Sequence, residues 1–549
     1  MNCIIDQQRV LTSLEDYRQL CETFQLECPE YFNFGSDVVD RWAEARPEHP
    51  AMRWVSAVGE DRTITFARMA TRSNQVANGL LKLGLRHGDQ VLVMLPSLVE
   101  WWETMVALTK AGIIAIPGTT LLTEKDIVYR VKAAEIDGVV TDAAGAEKVD
   151  HVASELSDLK YKVLVGKQSR NQWDAYEQIV AAASDASQLE RTRSDQPALI
   201  YFTSGTTGPP KMVSHTHASY GIGHQLTARF WLANEPNGLH WNLSDTGWAK
   251  TAYSGLFAPW IAGSTLFVRH RPGKFDPSDV LKCLTDYPIN SLCAPPTVYR
   301  MLVQEDLSKF HPQSLRRCMA AGEPLNVAVW KTWHEATGLT IREGYGQTET
   351  VILCSSIPDL AVKPGSMGLP PPGMDVAVID KDGKRLPPGE QGEIAVRVEP
   401  SRPIGLFHNY WKNPDATAGC YRDDWYLTGD CAYTDEDGYF WFVARADDII
   451  TSAAYRIGPF EVENALMEHP AVAEVAVVGK ADPERTEIVK AFIVLASGYE
   501  PTDELARELQ EHTKQATAPY KYPREIEFMD ELPKTHTGKI RRTELRKLK

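Results

Sequence analysis

No apolar run in this chain is long enough to span a bilayer, so a helical membrane protein is not expected. The nine cysteines, from Cys3 to Cys431, include no Cys-x-x-Cys pair, and their scatter reads as reduced thiols, not a disulfide or zinc framework. Positive charge is in short supply. Lys+Arg 58 against Asp+Glu 73 leaves a net charge of −15, which argues against a general nucleic-acid or anionic-membrane partner. Any anionic ligand then needs a local basic pocket. The two common nucleotide signatures are also missing. Each Gly-Lys pair (ending at Lys167, Lys274, Lys384, Lys480 and Lys539) lacks the following Ser or Thr of a Walker A loop, and no G-x-G-x-x-G fingerprint occurs. The opening Met1 to Arg9 carries an early acid and no continuous apolar segment, so neither a signal nor a transit peptide is evident; the cytoplasm is expected, with a processed organellar form as the alternative. What remains, 549 residues with 43% hydrophobic and 24% charged, is an ordinary globular composition, long enough for several domains.

The chain is organised around Tyr201-Phe-Thr-Ser-Gly-Thr-Thr-Gly-Pro-Pro-Lys211. The apolar run Ala198 to Phe202 reads as a buried strand, and the hydroxyl and glycine residues after it read as a loop. Gly205 and Gly208 free the backbone to turn its amides toward one point, while Thr203, Ser204, Thr206 and Thr207 add donors and Lys211 adds charge. That combination suits a polyphosphate. Upstream, Gln90 to Leu95, Gly112 to Pro117, Gly138 to Thr141 and Tyr161 to Gly166 alternate with helical segments, as in a parallel sheet covered by helices. Ser184 to Gln196 is polar and reads as a surface loop. Asp245 to Trp260 reads as one buried helix. Ala320 to Leu325 and Glu343 to Glu349 read as strand-exit loops, which in open parallel sheets gather around ligands. Strands around Val376 to Asp380, Gly392 to Arg397, Tyr426 to Asp430 and Gly438 to Val443 mark a β-rich region. Beyond Ala446 the character changes to a small α+β unit with strands at Val475 to Val478 and Ala491 to Leu495 and a helix over Glu504 to Lys514.

In order, the loop at 203–211, Gly322-Glu-Pro324, Tyr345-Gly-Gln-Thr-Glu349, Thr428-Gly-Asp430, Arg445-Ala-Asp447 and Pro533-Lys-Thr-His-Thr-Gly-Lys539 resemble the motifs of the AMP-forming acyl and aryl adenylating enzymes. Tyr455 to Glu463, His469 to Val472 and Ala518 to Arg524 look most like the medium-chain acyl-CoA synthetases. The resemblance implies an α/β fold: a large N-terminal domain, 1–446, of parallel-rich sheets covered by helices plus a β-rich subdomain, and a small mobile α+β C-terminal domain, 447–549. It implies an acid–thiol ligase using ATP, coenzyme A and Mg²⁺ and passing through an acyl-adenylate. Such chemistry needs positioning and charge stabilisation, with no side-chain nucleophile.

The resemblance assigns ATP to the 203–211 loop, Gly322, Glu323 and Pro324, Glu343 to Thr348 (Gly344, Tyr345, Gly346 and Gln347 between them), Asp430, Arg445, Arg456 and Lys539. Thr348, Glu349, Asp447 and Lys539 are the catalytic set, with Glu349 the metal ligand, Asp447 the hinge and Lys539 bridging carboxylate and α-phosphate. Coenzyme A falls to Ala453, Ala454, Tyr455, Arg485, Lys521 and Arg524. Ala453-Ala454 departs from the serine and glycine of most relatives, which places the thioester step in question. Trp248, Tyr253 and Gly346 are expected to line the acyl pocket; acetyl-specific relatives carry a tryptophan where this chain has Gly346, so a medium-chain acid is expected. The alternatives are short branched or benzoate-like acids, acyl transfer to a carrier protein, and a noncatalytic acyl or nucleotide sensor on the same fold.

Overall fold

A computed structural model describes residues 11–186, 189–203, 210–452, 455–534 and 540–548, with Arg456 through its backbone alone. The short apolar runs become strands with little exposure on either face: Gln90–Met94, Ile114–Pro117, Gly138–Thr141 and Tyr161–Leu164 pair in parallel. Pro197–Thr203 joins beside Ile114–Pro117, and Lys211–Thr216 pairs antiparallel to it near one side of an eight-stranded sheet.

A second eight-stranded sheet runs Cys354–Ser355, Ile341–Tyr345, Arg317–Ala321, Ser291–Ala294, Leu239–Asn242, Thr265–His270, Pro50–Ser56 and Asp61–Thr65. The main core is shared by both sheets. Val91, Leu199 and Tyr201 come from the first, Met52, Trp54 and Leu266 from the second, and helices Phe66–Leu83 and Val99–Ala111 supply the rest. Both helices stop at a glycine with positive φ, Gly84 at 118° and Gly112 at 64°, where a β-carbon would be strained.

The β-rich region is an antiparallel five-stranded sheet of Val376–Ile379, Gly392–Arg397, Trp425–Thr434, Tyr421–Arg422 and Phe440–Arg445. Its register sets Asp430 opposite Arg445. A fourth sheet is formed by strands between Ile450 and Phe528 alone. Helix Asp503–Ala516, capped by the Thr502 hydroxyl, packs Leu505 and Leu509 into that sheet's own core.

Two expectations are corrected. Asp245 to Trp260 is not one helix: Ala249–Ala252 and Ala258–Ile261 are α-helical, and Tyr253–Phe257 between them is a π-turn. The 184–196 segment is not simply surface. Thr192 is buried, its hydroxyl donating to Phe32 O at 2.8 Å and accepting from Asn33 Nδ2 at 3.1 Å.

Candidate active site

Tyr345 and Gln347, distant in sequence, and Arg445 on the paired strand meet on Asp430. Its carboxylate is almost fully buried, with Oδ2 accepting from Tyr345 Oη at 2.6 Å and from Gln347 Nε2 at 2.7 Å, and Oδ1 accepting from Arg445 Nη1 at 3.1 Å. Gln347 is itself fixed, donating to Thr428 O at 2.8 Å and accepting from Tyr426 Oη at 3.2 Å. Burial works against the Arg445 cation, and the carboxylates of Asp430 and Asp447 outweigh it, so its pKa is raised. Tyr345 is pushed far up by burial and then by the neighbouring Asp430 charge. The carboxylate is thus held in one orientation within the strand Trp425–Thr434.

A second focus forms around Glu349. Tyr410 Oη donates to Glu349 Oε1 at 2.8 Å, and Lys211 Nζ stands 4.6 Å from the centroid of the same Tyr410 ring. Tyr410 therefore links Lys211 to the acid of the Thr348-Glu349 pair. Sequence reasoning did not single it out, because nothing around Asn409-Tyr410-Trp411 marks it locally. His215 was missed as well. Burial lowers it to about 4, so the ring is neutral and its Nε2–H donates to Thr348 O at 2.7 Å, holding the 347–349 loop in place.

Glu343 is buried behind this loop. Desolvation pushes its carboxyl up to about 8, opposed by the amides of Leu325 and Gly365. Gly322 has φ of 108°. The adjacent Glu323 carboxylate is committed to helix Pro296–Leu302, accepting from Thr297 N at 3.0 Å and Arg300 Nη2 at 3.0 Å.

Of the residues expected to line an acyl pocket, Tyr253 is the first residue of the π-turn and stacks on His224 at 5.5 Å, with Trp231 at 6.3 Å. Trp248 stands at the start of Ala249–Ala252. At Gly346 a β-carbon would lie 2.6 Å from the Val351 carbonyl oxygen. The missing side chain is explained by a close backbone approach, and a side chain at 346 would have to displace that backbone before reaching any pocket.

On the small unit, Tyr455 stacks on Tyr520 at 4.1 Å and Arg524 lies over Tyr522 at 5.0 Å, while Lys521 is paired with Glu461 at 2.5 Å. The Arg485 amide caps onto Asp482. Asp447 lies 3.8 Å from Arg445 Nε, and its carbonyl accepts from Arg546 at 3.3 Å. Ser204, Gly205, Thr206, Thr207, Gly208, Ala453, Ala454 and Lys539 lie outside the described residues, as does the Arg456 side chain.

The site thus joins a buried carboxylate held by a tyrosine, a glutamine and an arginine with a lysine and a glutamate that meet on one tyrosine, all carried by α/β sheets. Residues 39–411 match the AMP-binding enzyme family and residues 461–539 the AMP-binding enzyme C-terminal domain, and the chain belongs to that family. Within it, the chain groups with the acyl-coenzyme A synthetases. It is 48% identical over 543 residues to acyl-coenzyme A synthetase ACSM3, mitochondrial, of Mus musculus, covering 97% of this chain and 93% of that protein. It is 49% identical over 527 residues to the mitochondrial ACSM4 of Homo sapiens, covering 94% and 90%. Among solved structures, the anthranilate CoA ligase AuaEII in complex with anthranoyl-AMP aligns with a TM-score of 0.86 at 30% identity, over 94% of this chain and 97% of that one. The benzoate CoA ligase of Burkholderia xenovorans aligns at 0.82 and 27%, over 94% and 100%.

Proposed function

We propose that this chain joins a medium-chain carboxylic acid to coenzyme A, converting ATP to AMP and pyrophosphate through an acyl-adenylate. The observation that carries this reading is the Asp430 cluster, in which the motif residues Tyr345, Gln347 and Arg445 converge on one carboxylate in a chain nearly half identical to acyl-coenzyme A synthetases along its length. A substrate carboxylate oxygen attacks the α-phosphorus and pyrophosphate leaves. The thiol of coenzyme A then attacks the acyl carbon, AMP departs, and the thiol proton passes to solvent. Asp430 holds the ribose, Lys211 and the 203–208 loop hold the β and γ phosphates, and Lys539 bridges the reacting oxygens.

Glu349 fits a magnesium site of the kind completed by substrate. It offers a hard oxygen oriented by Tyr410, and no cluster of three or more His, Cys, Asp or Glu forms a protein-only cage among the described residues. When bound, Mg²⁺ supplies charge neutralisation on the phosphates. The unit beyond Ala446 rotates about Asp447 between the half-reactions, and Tyr455, Arg485, Lys521 and Arg524 meet coenzyme A after rotation. The relatives are named as mitochondrial, which favours the organellar alternative over the cytoplasm.

A second substrate class has its own support: Tyr253, His224 and Trp231 give the acyl end an aromatic wall, and the aligned ligases are named for anthranilate and benzoate. The test is pyrophosphate release with octanoate, 2-methylbutyrate and benzoate, with and without coenzyme A. Octanoate is expected to lead; benzoate in the lead transfers the reading to aryl acids, and release with no acid removes it.

A further inference from the structure

The proposed hinge is tethered from both sides, and the two tethers differ in strength. On the side of the large unit, Ala446 N donates to Gly429 O at 2.9 Å, continuing the register that sets Arg445 opposite Asp430, and Asp448 N donates to Arg445 O at 3.0 Å, closing a turn over Asp447. On the side of the small unit beyond Ala446, Arg546 Nη2 donates both to Asp447 O at 3.3 Å and to Asp448 Oδ1 at 2.5 Å. The peptide joining 447 to 448 is therefore held by its nitrogen to the large unit and by its oxygen to the small one.

Arg546 works from a fixed base. It ends helix Arg542–Leu545, whose Leu545 is fully buried in a cluster with Ala476, Val478 and Phe492 and whose Arg542 donates to Glu463 Oε1 at 2.6 Å and Val477 O at 3.3 Å. All of these partners lie in the small unit. A peptide is planar, so a rotation between the units must be taken up by the φ and ψ angles on one side or the other of the 447–448 plane. The bond from Asp448 N to Arg445 O joins neutral groups, whereas the Arg546 donor is charged and is held in place by the Asp448 carboxylate as well. The weaker tether gives way first. The 447–448 plane then travels with the small unit, and the turning falls on Ala446 and Asp447 ahead of it, not on Asp448 behind it.

We propose that Arg546 is a positioning residue of the hinge: it clamps the 447–448 peptide to the small unit, so that rotation between the half-reactions is confined to Ala446 and Asp447. The proposal rests on the rotation in the synthetase reading, but its first test needs no substrate. Amide hydrogen exchange is followed by mass spectrometry on the full chain, wild type against Arg546→Met, which removes the clamp, and Arg546→Lys, which keeps a charged donor. Because the Arg546 side chain is 31% exposed, its bond is discounted for water, and exchange over 446–450 is expected to quicken about three- to tenfold in the Met variant and less in the Lys variant. Strands Val472–Asp482 and Thr486–Leu495 keep their protection. In turnover, kcat for acyl-CoA falls by a similar factor in Arg546→Met and recovers in Arg546→Lys, while the KM for ATP is unchanged, since Tyr345, Gln347 and Asp430 lie in the large unit. Unaltered exchange over 446–450 overturns the proposal. Protection lost equally from the two strands does so as well, and assigns Arg546 to the packing of the small unit. A wild-type chain that makes no acyl-CoA from any acid, with the exchange effect intact, sinks the synthetase reading and leaves the clamp standing.

Discussion

At Asp430 the three donors differ in kind, and so does what each supplies. Arg445 balances charge, Gln347 is fixed by its own two partners, and Tyr345 contributes the shortest contact, 2.6 Å. Tyr345→Phe keeps the ring and removes that donor from a buried carboxylate, an effect of about 1.5–3 kcal/mol for a bond to a charged group. A lower melting temperature and a raised KM for ATP are expected, with the maximal rate little changed; an unaltered KM would mean the carboxylate is oriented without it. Glu343 obeys a different logic. Its folded pKa, about 8, lies above its ordinary value of 4.5, so between those two pH values the folded chain holds a proton the unfolded chain has released. Stability from this group is full below the unfolded pKa and falls as pH rises toward 8, at up to about 1.4 kcal/mol per pH unit. Glu343→Gln mimics the neutral acid and removes that slope. The melting temperature of the variant relative to wild type should climb from pH 5 to pH 8, and a constant difference would show that Glu343 ionises normally.

Among the elements, the strand Ile341–Tyr345 and the turn after it show how backbone contact decides side-chain choice. Gly344 has Trp231 2.4 Å from where its β-carbon would be, and Gly346 has the Val351 carbonyl at 2.6 Å. Gly346→Trp is therefore expected to lower stability, with overpacking costing at least about 1–3 kcal/mol, and to depress octanoate and acetate kinetics in the same proportion. A selective gain for acetate would instead place residue 346 at the pocket floor. The same segment marks what was legible beforehand. Runs such as Gln90–Met94 and Gly392–Arg397 announced their strands because unbroken or alternating apolar residues leave few options. Leu239–Asn242 and Ser291–Ala294 did not: four residues apiece, with His240, Asn242 and Ser291 among them, they depend on neighbouring strands for their partners. The π-turn at Tyr253 has no periodic signature. At the site, Asp430 and Gln347 were legible through the resemblance, but their contact across 83 residues of sequence was not, and Tyr410 and His215 matter through partners that only the fold supplies.

For the whole molecule, the question is how one site serves two reactions. Among the described residues, the segment beyond Ala446 meets the rest of the chain through contacts that include Asn326 Nδ2 donating to Asn464 Oδ1 at 3.0 Å, Phe442 meeting Phe460 edge-on at 6.0 Å, and Arg445 Nε standing 3.8 Å from Asp447 at the proposed hinge. Contacts of this kind suit rotation, since each can be exchanged without opening either core. Lys539 belongs to the small unit by sequence, and in the proposed cycle it is needed only while the carboxylate attacks the α-phosphorus. Lys539→Ala is therefore expected to slow adenylation at least about 10²-fold, the loss typical of one donor aimed at transition-state charge. Thioester formation from supplied acyl-AMP and coenzyme A should persist near the wild-type rate, because by then the lysine has been carried away. The two half-reactions are read separately, adenylation as pyrophosphate release in a single turnover and thioester formation as acyl-CoA from preformed acyl-AMP. Equal losses in both would mean that the lysine never leaves the site, and the rotation about Asp447 would have to be abandoned.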